Sequence, residues 1–133
     1  MTAQDPVYPQ VIRELANGQK TSHWIWFIFP QIAGLGTSEK SRLYAIASAQ
    51  EARDYLQHPV LGARLSECTT LTCRHVGQSI EGILGTIDAV KFCSSMSLFA
   101  ETASDNTLFR TALDTFCGGR RDEGTLTILR TLR

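Results

Sequence analysis

Long apolar runs are the first thing this chain lacks. The longest, Trp24 to Phe29, is six residues, against the roughly 20 needed to span a bilayer. Charge of one sign is missing too, since 13 Lys+Arg stand against 13 Asp+Glu. Without a net positive field little would hold a phosphate backbone, so neither nucleic acid nor a membrane is expected as a partner. No Ser/Gly/Pro-rich linker or repeat divides the 133 residues, so one domain, 1–133, is expected. Asp5 and Pro6 stand where the apolar region of a signal peptide would begin, which points to a cytoplasmic protein. Sustained period-two alternation between hairpin signals is also lacking, and that argues against a sheet.

What is present is globular composition, with 43% hydrophobic and 20% charged residues. The four cysteines, Cys68, Cys73, Cys93 and Cys117, include no C-x-x-C pair. A chain able to bury a core, in a reducing compartment, needs no disulfides, so these are expected to be ordinary buried thiols. Cys68, Cys73 and His75 could supply three zinc ligands, but a fourth at finger spacing is missing, and no metal is expected.

Between turn signals the chain carries helical spacing. Asp5 followed by Pro6 predicts a first helix running to Asn17-Gly18, with Val7, Val11, Ile12 and Leu15 inward. Thr37 or Ser38 starts another, with Leu43, Ile46 and Ala47 inward. Ser48-Ala-Gln-Glu51 matches a capping box ahead of Ala52, Tyr55 and Leu56. His58-Pro59 ends that helix and opens an amphipathic one to His75, closed by Gly77. A short turn or helix from Ser79 to Leu84 stops at Gly85. Thr86 to Ala100 follows, with Val90, Cys93, Met96 and Phe99 at three-residue steps. Asn106 caps a helix ending at Gly118-Gly119, and Asp122 caps the last, with Leu126, Leu129 and Leu132 on its face. The fold class is all-α, a compact multihelical domain.

Both tryptophans lie in Ser22-His-Trp-Ile-Trp-Phe-Ile-Phe-Pro30. Burying each ring contributes roughly 1.5–3 kcal/mol, so this segment is expected at the middle of the core. Pro30 limits any helix here to about one and a half turns. The loop after it carries Gln31, Gly34 and Gly36 and runs into a helix start at Ser38. Exposed amides and the helix dipole there can hold a phosphate or carboxylate. The plainer reading is that the glycines permit a turn and Ser38 caps.

His23-Trp24-Ile-Trp26-Phe27-Ile-Phe29-Pro30-Gln31, Gly34-Leu-Gly36-x-Ser38, Tyr44-Ala-Ile46, Tyr55-Leu56, His58-Pro59, Leu61-Gly62 and Ser94-Ser95-Met96 resemble the family called domain of unknown function 1810. The resemblance covers nearly the whole chain. It implies a small bacterial protein with a multihelical fold and a very short buried central helix, here around Trp24–Ile28. It implies no activity, substrate or cofactor. Relative to the family the chain starts late in the first helix. Cys93 and Ser97 stand where a basic residue and a threonine are more usual. Members sometimes carry the label calpastatin, but that inhibitor is long and largely disordered, and a chain of this composition does not resemble it.

Of three histidines, His23 is the best candidate for a general base, because it stands between Lys20-Thr21-Ser22 and the aromatic segment. His58 reads as a helix cap and His75 as a partner of a helix C-terminus. Glu51, Asp54 and His58 have metal-ligand spacing, yet capping explains Glu51 and His58. Lys91 and Ser95 could clamp an anion, though solvated helix polars are the plainer reading. No zinc-protease, nucleophile-elbow or P-loop motif occurs, and no cofactor is expected. Two functions remain. One is a binding module for a small anionic ligand or a protein, its pocket lined by Trp24, Trp26 and Gln31 with Lys20, His23 and Ser38 at the rim. The other is an enzyme on a phosphorylated or nucleotide-like molecule, with His23 as base and Gly34 to Ser38 holding the anion. Binding is favoured, because no assembled nucleophile–base set is visible. A surface built on Arg120, Arg121, Arg130 and Arg133 is weaker, since Asp122 and Glu123 offset it. The sequence names no protein partner or oligomeric state.

Overall fold

The computed structural model describes residues 2–132, which hold nine α-helices and no strand. They are α1 (Tyr8–Asn17), α2 (Ile25–Ile28), α3 (Glu39–Leu43), α4 (Ala49–Gln57), α5 (Leu61–Cys73), α6 (Ile80–Leu84), α7 (Thr86–Thr102), α8 (Thr107–Phe116) and α9 (Glu123–Thr131). The all-α class read from the sequence holds. Four starts follow side-chain chemistry: Ser38, Ser48, Ser79 and Asp122 each accept the amide three residues on. The capping box is shifted by one, because Glu51 reaches back to the amide of Ala47. His58 ends α4, and its Nδ1 accepts from the amides of Val60 and Leu61 at the entry to α5.

Several expectations fail for reasons that only packing reveals. The first helix opens at Tyr8, not Asp5. The amides of Val7 and Tyr8 both bond to the carbonyl of Gln4, and Asp5 leaves the helix end to pair with Arg64 of α5 at 2.7 Å. Asn106 precedes α8 but does not cap it. Its amide donates to Ala100 O, while Asp105 accepts from the Thr107 amide. Leu43 and Ala47 are exposed. Only Ile46 of that trio is buried, because α3 stops early and Ile46 pairs with Ile32 in a short parallel bridge. Val90 and Leu132 also face solvent.

The cysteines require a larger correction. Cys93 and Cys117 form a disulfide with their Cα atoms 6.0 Å apart, so only Cys68 and Cys73 are free thiols. The expectation of four thiols rested on compartment and chain size. Antiparallel packing of α7 against α8 overrides it by bringing the end of α8 beside Cys93.

The centre of the molecule is α7, which packs against α2, α4, α6, α8 and α9. Phe92, Met96, Leu98 and Phe99 are fully buried there, and Phe29 meets Phe92 edge-on at 4.9 Å. A helix as short as α2 cannot hold itself by propensity. Burial of Trp24, Ile25, Ile28 and Phe29 holds it instead. Among the described residues no helix is long and apolar enough to cross a membrane.

Candidate functional site

The segment leading into α2 starts with a buried carboxylate. Glu14, on the inner face of α1, accepts five hydrogen bonds, from Gln10 Nε2, the amides of Thr21 and Ser22, Ser22 Oγ, and Trp24 Nε1 at 3.0 Å. Burial alone would raise its pKa, but the donors of Ser22, Thr21 and Gln10 outweigh it and hold the carboxyl at about 2. This joint ties α1 to the aromatic segment and points Trp24 inward.

Past it the chain opens onto a cleft of about 540 Å³, with Lys20, Ser22, His23 and Trp26 on one wall. The α6–α7 junction, with Thr86, Ile87, Asp88 and Lys91, makes the other. Lys20 is committed: its ammonium donates to Ser22 O, pairs with Asp88 Oδ2 at 2.7 Å and lies 5.0 Å over the Trp24 ring. Lys91 is freer, 3.7 Å from the other Asp88 oxygen and 5.6 Å over the Trp26 ring. Lys40 of α3 reaches the same ring at 4.8 Å. The Trp26 indole N–H has no partner among the described residues. Lys20 and Lys91 thus share Asp88 at the cleft, while Lys40 meets only the Trp26 ring.

The family model for a protein of unknown function, DUF1810, matches residues 1–129. The chain belongs to that family. Its fold is similar to the crystal structure of the conserved hypothetical protein Rv1873 from Mycobacterium tuberculosis. The two are 47% identical with a TM-score of 0.95, over 97% of this chain and 92% of that one. No curated protein matches. The resemblance read from the aromatic motif is thus borne out, and the very short central helix it implied is α2.

The structure brings Lys20, His23 and Trp26 together at one cleft and leaves the other candidates elsewhere. Trp24 is 1% exposed and fills the core. The Gln31 carbonyl accepts from the Ile46 amide. Gly34 lies against Ile128, and at Gly36 a Cβ would stand 2.3 Å from that of Ser41, so both glycines serve the turn. Ser38 Oγ is occupied by Ser41, from which it accepts the amide and to which it donates. His75 Nε2 bonds Leu15 O, in the last turn of α1 rather than of its own helix. Among the described residues no group of three His, Cys, Asp or Glu could hold a metal. Of the arginine surface, Arg121 pairs with Glu101 and Asp122 caps α9, while Arg133 lies outside the described residues. Sequence reasoning omitted Asp88 and Lys40 from the site and read Lys91 as solvated. The i,i+3 spacing of Asp88 and Lys91 was the available signal.

Proposed function

We propose that this protein is a binding module for a small anionic ligand, held in the cleft beside Trp26 by Lys91 and Lys40. The observation that carries this reading is the charge imbalance around one indole ring. Asp88 holds Lys20 closely at 2.7 Å and Lys91 only loosely at 3.7 Å, while Lys40 lies over the Trp26 ring, so positive charge exceeds negative around that ring. A carboxylate or phosphate would meet Lys91 in a cleft partly walled by apolar atoms of Ile87 and Leu84, with the Lys40 charge at the same indole ring adding to the positive potential.

The test is a thermal-shift and tryptophan-fluorescence titration with inorganic phosphate, sugar phosphates, nucleotides and dicarboxylates. A ligand at 100 times its Kd adds about 2.7 kcal/mol, a rise of several degrees in Tm. The response should vanish in Lys91→Ala and persist in Arg110→Ala, a change on the exposed side of α8. A flat titration across the panel, or a response that survives Lys91→Ala together with Lys40→Ala, overturns the reading. Any hit is then followed for turnover, because His23 borders the same cleft.

A further inference from the structure

One stripe of α7 holds the linker between α8 and α9 by three unlike bonds. Cys93 is joined to Cys117, the residue that closes α8. Four residues on, Ser97 Oγ accepts from the Asp122 amide at 2.8 Å and donates to the Cys93 carbonyl. Four further, Glu101 pairs with Arg121 at 3.0 Å. Positions i, i+4 and i+8 share one helix face, so the linker 117–122 lies clipped along a single edge. Asp122 passes this anchorage to α9 by accepting from the Thr125 amide and hydroxyl. Between the clips Gly118 and Gly119 adopt left-handed backbone, and nothing packs within 4 Å of where a Gly118 side chain would be.

Only the covalent clip responds to redox conditions. The disulfide borders a cleft of about 500 Å³ shared with Val90, Phe116, Arg120 and Arg121. Both of its cysteines are half-buried rather than enclosed. The cleft gives a small thiol access, and its charges are mixed, with Arg120 and Arg121 standing against Glu81, Asp122 and Glu123. The other two cysteines differ. Cys68 is buried, which pushes its thiol up to about 12, and burial raises Cys73 as well.

We propose that Cys93–Cys117 is a thiol–disulfide exchange site whose co-reactant is a dithiol, and that its state sets how firmly α9 is held. One thiolate of the dithiol attacks a sulfur of the pair, forming a mixed disulfide as the other cysteine leaves as thiolate and takes a proton. The second thiol of the reagent then attacks the mixed bond and releases the remaining cysteine. The protein gains two electrons and two protons, and the dithiol becomes a disulfide. After reduction the linker is joined to α7 by one hydrogen bond and one part-exposed ion pair, and an exposed pair contributes little. Such a clip suits a protein that meets changing thiol conditions, since a lasting structural bond is rare where thiols are kept reduced.

The experiment equilibrates native protein in dithiothreitol buffers of graded potential, quenches with acid, and alkylates in denaturant before mass analysis. The adduct count should rise from two to four of the four cysteines in one two-electron step. Hydrogen exchange on the same samples should show the amides of α9 exchanging about tenfold faster or more after reduction, with α1 and α5 unchanged. Cys93→Ser with Cys117→Ser should show the fast rate in either buffer. The proposal fails if the bond survives millimolar dithiothreitol in the native protein, if oxidised dithiothreitol never forms it, or if reduction leaves α9 exchange unaltered. Reduction of the unmodified chain decides the matter even if the double variant does not fold.

Discussion

Trp24 and Trp26 stand two residues apart on one turn of chain and end in opposite surroundings. Trp24 is sealed in the core, its N–H donated to a carboxylate that four further donors hold in place. Trp26 stands at a cleft wall, its N–H unpartnered and two ammonium groups over its ring. Trp26 lies within α2 and Trp24 immediately before it, so a short stretch of backbone is enough to send one ring inward and the other toward the cleft. Asp88 links the halves, with one oxygen on Lys20 and the other toward Lys91. What separates the two lysines is water: their side chains are 6% and 22% exposed. Identical residue types thus build a joint on one side and a charged, reachable surface on the other.

The largest way to break this comparison is truncation. Trp24→Ala should cost about 3–5 kcal/mol by opening a cavity and orphaning a Glu14 bond. Trp26→Ala should cost less, about 1–2 kcal/mol, because its ring is only partly buried. Urea unfolding of both variants checks this, and equal losses would mean that the two rings serve the core alike.

Glu14 comes next, through pH. Its folded pKa of about 2 lies below the ordinary 4.5. The stabilisation is therefore complete above pH 4.5 and is lost as pH falls toward 2. With solvent screening allowed for, the loss is about 2 kcal/mol. Glu14→Gln should be less stable than the parent at neutral pH and should flatten that acid limb. An unchanged limb in the variant would assign the acid sensitivity to another carboxyl.

How much of this was readable depended on whether the cause was local. The caps at Ser48 and Asp122 act within one turn, so residue type and spacing sufficed for them and narrowed the start of α3 to Thr37 or Ser38. The burial of α2 in the core was readable because aromatic density and Pro30 leave few alternatives. Long-range partners were not readable. Asp5 looks like a cap until Arg64, 59 positions away, takes it. Glu14 looks like a solvated residue on a surface helix, and nothing near it announces that Trp24 and the Thr21 and Ser22 amides will converge on it. Lys91 and Asp88 belong to a helix whose sequence reads as plain core, and only its packing beside α2 makes a cleft of the junction. The disulfide was missed for the same reason, since a separation of 24 carries no pairing signal until α8 folds back on α7.

The smallest effects sharpen the comparison most, because they separate a structural lysine from a binding one. Lys20→Ala should cost about 2 kcal/mol, since it strips a nearly buried Asp88 of its close partner and uncovers the Trp24 ring. Lys91→Ala should change stability by less than about 0.5 kcal/mol. Asp88 keeps Lys20 in that variant, Trp26 keeps Lys40, and removing one of three crowded cations relieves repulsion that offsets the lost attraction. A double-mutant cycle makes the argument strict. If the two lysines share Asp88, Lys91→Ala should become more costly once Lys20 is absent, with a coupling of about 0.5–1 kcal/mol. Strict additivity would mean that Lys91 has no stake in Asp88 in the unliganded protein. Its charge would then be held toward the cleft by the Trp26 ring alone, where an arriving anion would find it unopposed.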